Sequence, residues 1–129
     1  MQIFIATADK TLRLALLLLL ESEPGMVVTG VSDRADGLPV VLEAAQPEVL
    51  LLDYELAGPA TSDLVHALLR LIKSPRIVVL AMDSQTTVAA LADGAYACIE
   101  KNEPPDRLLP YLRSIRSADN SGQTADDNL

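Results

Sequence analysis

Cysteine and histidine are nearly absent from this sequence, which contains one of each, Cys98 and His66. A single cysteine excludes an internal disulfide framework, and one cysteine with one histidine is too few for a Cys/His zinc site. A glycine-rich phosphate loop, a nucleophile elbow and a zinc-binding helix motif are also missing. The cysteine usage predicts a reducing, cytoplasmic location.

Long apolar runs are missing as well. The longest covers residues 14–20 and is followed by Glu21-Ser22-Glu23-Pro24, with no small-residue cleavage pattern. It is far shorter than the roughly 20 residues that span a bilayer. The sequence therefore favours a helix buried on several sides over an export signal.

Basic residues are outnumbered, because ten Lys and Arg face eighteen Asp and Glu and give a formal net charge of −8. Such an acidic surface repels the phosphates of nucleic acids and anionic lipids. The sequence predicts that this segment binds neither nucleic acid nor membrane. Its 129 residues, half of them hydrophobic, suit one folded domain with one core.

Strand-like runs alternate with helical patterns along the chain. Strands are predicted at residues 3–6, 26–31, 49–52, 76–81 and 95–99. Five helices are predicted between and after these strands. The first covers residues 11–22, the second is capped by Ser32 or Asp33 and ended by Pro47, and the third is capped by Thr61 or Ser62 and runs through Ile72. The fourth runs from Ser84 to Asp93 and is closed by Gly94, and the last carries Leu108, Leu109, Leu112 and Ile115. This alternation predicts a doubly wound α/β domain with a five-stranded parallel sheet.

Pro110 interrupts the last helical pattern. A helix that starts near Arg107 tolerates this proline, whereas one opened by Pro105 loses a backbone hydrogen bond there, so we expect a late start or a kink. Residues 118–129 have no periodicity and contain three acids without a base. The predicted organisation is a domain over residues 1–117 and a flexible tail or truncated linker over residues 118–129.

Ligand chemistry in doubly wound sheets lies at the carboxyl ends of the strands. The residues at these ends are Thr7, Ala8 and Asp9 after the first strand, Asp53 after the third, Ala81 and Met82 after the fourth, and Glu100 and Lys101 after the fifth. An aspartate after a wholly apolar strand and a lysine after the last strand make this edge the candidate site.

The chain resembles the receiver domain of two-component response regulators over residues 1 to about 117. Asp53 and Lys101 carry the resemblance, while residues 3–6 with Arg13, residues 77–80 and residues 93–102 are most similar to the NarL-type subfamily. The resemblance implies a flavodoxin-like (βα)5 fold with strand order 2-1-3-4-5. That subfamily usually carries a helix-turn-helix DNA-binding domain after a linker, and these residues contain none.

The resemblance also implies site roles. Asp53 matches the phosphoacceptor, Lys101 matches the lysine that contacts the phosphoryl oxygens, and the backbone carbonyl of Glu55 with Asp53 falls at metal-binding positions. Four positions depart from the family pattern: Thr7 and Ala8 replace the acidic pair that holds Mg²⁺, Ala81 replaces a Thr or Ser, and Cys98 replaces an aromatic residue.

More than one role is open for several candidate residues. Asp53 and Lys101 form either a retained ion pair or a weakly phosphorylatable site, because one lysine supplies too little positive charge for phosphoryl transfer without a metal. Asp9 either caps the first helix or supplies a metal carboxylate after a one-residue shift of its loop. Cys98 is predicted to be a small buried strand residue rather than a redox sensor, and His66 a plain helix residue.

The predicted function is a non-enzymatic, atypical receiver domain of a transcriptional regulator, which acts through protein contacts and needs no cofactor. The resemblance suggests a histidine kinase as partner, and a homodimer through the fourth helix, fifth strand and fifth helix, with Leu91, Tyr96 and Tyr111 as candidate contacts. The first alternative is a functional phosphoacceptor that uses Asp53 and Mg²⁺, with Asp9 as metal ligand. The second is a small-molecule sensor that uses the crevice at the strand ends without covalent chemistry.

Overall fold

The computed structural model describes residues 1–101 and 107–127. Its five strands are all parallel and lie in the order β2-β1-β3-β4-β5. Their bounds are β1 Gln2–Ala6, β2 Val27–Ser32, β3 Val49–Asp53, β4 Arg76–Ala81 and β5 Ala97–Glu100. The predicted doubly wound sheet and its strand order are therefore confirmed.

The helices pack on both faces of this sheet. They are α1 Lys10–Glu21, α2 Leu38–Ala45, α3 Tyr54–Ala57, α4 Thr61–Leu69, α5 Ser84–Ala92 and α6 Leu108–Asp127, and a 3₁₀ turn covers Gly58–Ala60. The single turn α3, directly after Asp53, was not predicted. The predicted fourth and fifth helices therefore correspond to α5 and α6.

The central strand β3 positions the site because it is buried along its whole length. It lies between β1 and β4, and its apolar side chains alternate between two core layers. Val49 and Leu51 pack with α1 and α6, whereas Leu50 and Leu52 pack with α2, α4 and α5. A strand covered on both faces needs continuous apolar sequence, and this is the pattern that predicted it.

The sequence placed the start of α2 wrongly. Ser32 is the last residue of β2 and pairs with Ala6, while its hydroxyl bonds with the backbone of Arg34. The residue before α2 is Gly37, with φ of 73° and no side-chain cap. Because Ser32 stays in the sheet, neither it nor Asp33 caps the helix, and a glycine supplies the left-handed turn instead.

The ends of α4 and α5 also differ from the prediction. No side chain caps α4, because Thr61 is buried and donates its hydroxyl to the Tyr54 carbonyl. Helix α4 ends at Leu69 rather than Ile72, which is 94% exposed. Asp83, not Ser84, caps α5 by accepting from the Thr86 amide at 2.8 Å, and this bonding lowers the pKa of Asp83.

Helix α6 begins late, as predicted for a helix that contains Pro110. Pro110 is the third residue of α6, within the first turn, where a missing amide proton removes no helix bond. The alternative start, Pro105, and the motif residue Asn102 lie outside the described residues. The helix continues to Asp127, so residues 118–127 are helical where a tail without regular structure was expected, and the domain boundary at 117 stays a prediction.

Two arginines one turn apart fasten α6 to the segment between α1 and β2. Arg113 donates from Nε and Nη2 to the two carboxylate oxygens of Glu23, at 2.7 and 2.8 Å, and Arg116 donates to the Pro24 carbonyl at 3.0 Å. This bidentate contact lowers the pKa of Glu23 and raises that of Arg113. These contacts hold the first half of α6 against the rest of the domain.

The Glu23 pair predicts a pH-dependent contribution to stability. Because the pKa of Glu23 is lowered from 4.5 in the folded chain, its pairing stabilises the fold above pH 4.5 and is lost as pH falls through the lowered pKa. We expect Glu23→Gln to lower the melting temperature modestly at pH 7 and to match the unmodified chain in strong acid. A gap that stays constant with pH, or an equal loss in the control Glu21→Gln, would contradict this.

The leucine-rich run is an amphipathic surface helix. In α1, Leu16 and Leu20 are buried against the sheet, whereas Leu14 and Leu18 point outward. None of the helices within residues 1–101 and 107–127 is long and apolar enough to cross a membrane.

Candidate functional site

Four of the residues singled out by the sequence meet at the carboxyl edge of the sheet. Thr7 follows β1, Asp53 ends β3, Ala81 ends β4 and Lys101 follows β5. The Thr7 hydroxyl and the Lys101 ammonium both contact the Asp53 carboxylate, and the Lys101 amide donates to the Ala81 carbonyl at 2.7 Å. The predicted convergence at one end of the sheet is therefore found.

Asp53 is buried, at 2% exposure, and both of its carboxylate oxygens have partners. Oδ2 accepts a hydrogen bond from the Thr7 hydroxyl at 2.6 Å. Oδ1 accepts from the Glu55 amide at 3.0 Å and lies 2.5 Å from Lys101 Nζ. A carboxylate this deeply buried needs a nearby positive charge and hydrogen-bond donors, and these groups supply both.

Lys101 holds the positive charge of the site between two acids. Its ammonium lies 2.5 Å from Asp53 and 3.4 Å from Oε2 of Glu55, and its side chain is mostly buried. The sequence singled out the backbone carbonyl of Glu55 as a metal ligand, and that role stays a prediction. In the structure the Glu55 amide donates to Asp53, and the Glu55 carboxylate contacts Lys101. The one-turn helix α3 produces both contacts because Asp53 is its N-cap.

Thr7 links this cluster to the start of α1. It is fully buried, and its hydroxyl accepts from the Asp9 amide at 3.1 Å while donating to Asp53. Sequence reasoning treated Thr7 only as a departure from an acidic pair and missed its contact with Asp53. The predicted sheet places the first and third strands side by side, and this was the indication that Thr7 and Asp53 could be in contact.

Asp9 caps α1, which is one of the two roles that the sequence left open. Its Oδ1 accepts from the amides of Thr11 and Leu12, at 3.0 and 3.1 Å. Its use as a metal ligand stays a prediction.

The arrangement is a poor match for Mg²⁺. Within residues 1–101 and 107–127, no group of three or more His, Cys, Asp or Glu side chains is placed to hold a metal ion. A divalent cation that approached Asp53 would meet the Lys101 ammonium on Oδ1 and the Thr7 hydroxyl on Oδ2. Mg²⁺ keeps several waters and takes one or two protein carboxylates, so it would have to compete with these two groups for the oxygens of Asp53.

Ala81 and Cys98 are two further residues that the sequence predicted to depart from the family pattern. Ala81 is buried and offers only its carbonyl to the site. Cys98 is partly buried in β5, its thiol lies 3.5 Å from the Thr87 hydroxyl, and burial raises the pKa of the thiol. A protonated, partly buried thiol is a weak nucleophile, which agrees with a structural strand residue.

A second polar cluster, which sequence spacing did not reveal, joins α4 to α5. Oδ1 of Asp93 accepts from the Ser62 hydroxyl at 2.9 Å and lies 3.5 Å from His66 Nε2. His66 was predicted to be a plain helix residue, and it lies on α4 with Asp93 as an acidic partner. The partner is 27 residues away and reaches His66 only because α4 and α5 pack side by side.

The candidate contact residues are at the surface and not in the core. Leu91 of α5, Tyr96 before β5 and Tyr111 of α6 are 47%, 49% and 48% exposed. The Arg76 guanidinium lies 5.4 Å from the centre of the Tyr96 ring. We call Leu91, Tyr96 and Tyr111, together with the exposed Val88 of α5, the contact face.

Comparison with known proteins identifies the family. The family model for the response regulator receiver domain matches residues 3–113. The chain belongs to this family. The predicted membership of the receiver family is therefore confirmed, and the fold is the flavodoxin-like receiver fold of two-component signalling proteins.

Solved receiver structures agree in fold. The signal receiver domain of the putative response regulator NarL from Mycobacterium tuberculosis superposes with a TM-score of 0.79 at 17% identity, over 88% of this chain and 94% of that one. The REC domain of RcsB from Salmonella enterica serovar Typhimurium, determined with phosphomimetic BeF3−, superposes with a TM-score of 0.80 at 21% identity. The match covers 91% of this chain and 88% of that one. At these identities the likeness concerns the fold.

A curated relative is a larger protein. Protein-glutamate methylesterase/protein-glutamine glutaminase 1 of Rhizobium johnstonii is 27% identical over 113 residues, which make up 85% of this chain and 32% of that protein. The matched residues thus make up about a third of that relative. The activity in its name is a property of the whole relative.

Proposed function

We propose that this receiver domain acts as a protein-contact module in two-component signalling, with little or no Mg²⁺-dependent phosphorylation of Asp53. The observation that supports the proposal is that both oxygens of Asp53 already have partners, namely Thr7 on Oδ2 and Lys101 with the Glu55 amide on Oδ1. The proposal includes no enzymatic activity of this chain, no cofactor and no nucleic-acid binding by this segment.

Electrostatics support the proposal. A phosphoaspartate adds roughly two negative charges, and receivers that form it need strong local positive charge. Here Lys101 is shared between Asp53 and Glu55. Thr7 and Ala8 stand where the family resemblance implies the acidic Mg²⁺ ligands, so the charge needed for the transfer is missing.

The contact face is the proposed surface for protein contacts. Receiver domains of response regulators generally interact with histidine kinases, and the resemblance suggests a homodimer through α5, β5 and α6. Val88 and Leu91 lie three residues apart on α5 and so face the same way, and both are exposed. With Tyr96 and Tyr111 they present aliphatic and aromatic surface, the composition found at the centres of protein interfaces.

The proposal predicts that a phosphodonor leaves the chain unchanged. After incubation with acetyl phosphate and Mg²⁺, we expect the intact mass to show little or no phosphoryl adduct and sedimentation to show the same oligomeric state as before. Asp53→Asn is the control for any adduct at this residue. A stable adduct that is lost in Asp53→Asn would overturn the proposal and favour the phosphoacceptor alternative with Asp9.

The contact face is tested in the same sedimentation experiment. Leu91→Arg should weaken self-association by about tenfold or more, because a buried interface leucine would be replaced by an unpaired charge. Leu14→Arg alters an exposed leucine of α1, outside the contact face, and is the matched control. Equal association in Leu91→Arg and the unmodified chain would exclude this face as the dimer surface.

A further inference from the structure

The Thr7 hydroxyl has its single proton directed at Asp53. A hydroxyl group has one proton to donate and two lone pairs to accept with. The Asp9 amide, which can only donate, occupies one lone pair of Thr7 Oγ1 at 3.1 Å. An ionised Asp53 carboxylate can only accept, so the proton of Thr7 lies on the 2.6 Å contact to Oδ2. The Asp9 amide and the Asp53 carboxylate therefore fix the direction of the hydrogen bond from Thr7 to Asp53.

We propose that Thr7 is a positioning residue that suppresses the nucleophilicity of Asp53. This inference rests on the proposed function and adds its cause, namely that the hydroxyl occupies Oδ2 while Lys101 and the Glu55 amide occupy Oδ1. The hydrogen bond from Thr7 is short and charge-assisted, and both residues are buried. It withdraws negative charge from Oδ2 and so lowers the nucleophilicity of that oxygen towards an electrophile. Such a bond is among the stronger ones in proteins.

The hydroxyl and the size of the Thr7 side chain can be tested separately for their effect on the reactivity of Asp53. Threonine covers Asp53 sterically as well as bonding to it, so a reactive Asp53 could follow from loss of either property. Thr7→Ser keeps the hydroxyl and removes the methyl group, whereas Thr7→Val keeps the shape and removes the hydroxyl. Suppression by the hydrogen bond predicts a reactive valine variant and an unreactive serine variant, and suppression by bulk predicts the reverse.

A metal-free probe measures this reactivity directly. A carboxylate oxygen adds to the central carbon of a water-soluble carbodiimide, whose nitrogen takes up a proton, and the amine of glycinamide then displaces the resulting urea to leave an amide. Peptide mass spectrometry locates the label, and the exposed side chains of Glu21 and Glu43, which lie outside the site, are internal references in every sample. We expect Asp53 in Thr7→Val to be labelled about tenfold faster than in the natural sequence, and Asp53 in Thr7→Ser at nearly the natural rate.

Thermal unfolding in the same buffer shows whether Thr7→Val folds. If it does not, a second pair of variants still tests the role of the hydroxyl. Thr7→Ala and Thr7→Ser then form the test pair, because they differ only in the hydroxyl, and only the alanine variant should react. Equal labelling within either pair, or faster labelling of the serine variant, would overturn the role of Thr7. Phosphorylation of the natural sequence would instead overturn the proposed function, so the two failures are distinct.

Discussion

Replacing Lys101 with methionine is expected to lower the free energy of unfolding by about 3 to 5 kcal/mol, the usual cost of leaving one member of a buried ion pair without its partner. Asp53 would keep its hydrogen bonds from Thr7 and the Glu55 amide but lose the only cation that contacts it within the described residues. For a chain of this size the melting temperature should fall by about 10 °C or more. Chemical and thermal unfolding at pH 7 measure the loss.

Two further variants show whether the lost charge is the cause. Lys10→Met alters an exposed lysine at the start of α1 and should change stability little. Adding Asp53→Asn to Lys101→Met should recover most of the loss, because a neutral amide needs no counter-charge. If Lys101→Met alone stays within about 1 kcal/mol of the unmodified chain, the ion pair is not what stabilises this edge of the sheet.

Replacing Thr7 and Ala8 together with aspartate is expected to create a metal site at a cost to the metal-free fold. The two new carboxylates would lie close to Asp53, and each like-charge contact costs on the order of 1 to 4 kcal/mol near a protein surface. The hydrogen bond from Thr7 to Asp53 would also be lost. The double variant should therefore melt well below the natural sequence in the absence of Mg²⁺.

Magnesium should reverse this loss in the double variant only. At a hundredfold excess over the dissociation constant, binding recovers about 2.7 kcal/mol, whereas the natural sequence should respond little. The matched control, Thr7→Asn with Ala8→Asn, places side chains of the same size without charge and should not gain stability from Mg²⁺. Equal Mg²⁺ shifts in the natural sequence and the aspartate variant would show that a metal site already exists.

The sequence by itself determined the architecture of this receiver domain. Strand β3 was predicted from an unbroken apolar run that ends at an aspartate. Pro110 predicted either a late start or a kink of the last helix, and α6 starts late. These features follow from local rules, because burial on both faces requires continuous apolar residues and proline is tolerated only in the first turn of a helix. The predicted convergence of Asp53 and Lys101 followed in turn, since parallel strands place their carboxyl ends at one edge.

Only the tertiary structure decided which polar groups bond to one another. Thr7 and Asp53 are 46 residues apart and meet through the register of β1 against β3. Asp93 binds Ser62 and His66 only because α4 and α5 pack together. Helix ends also depended on context, since Ser32 stayed in the sheet and Thr61 turned inward. A side chain with several possible partners takes those that burial and register bring within reach, and local sequence does not encode that choice.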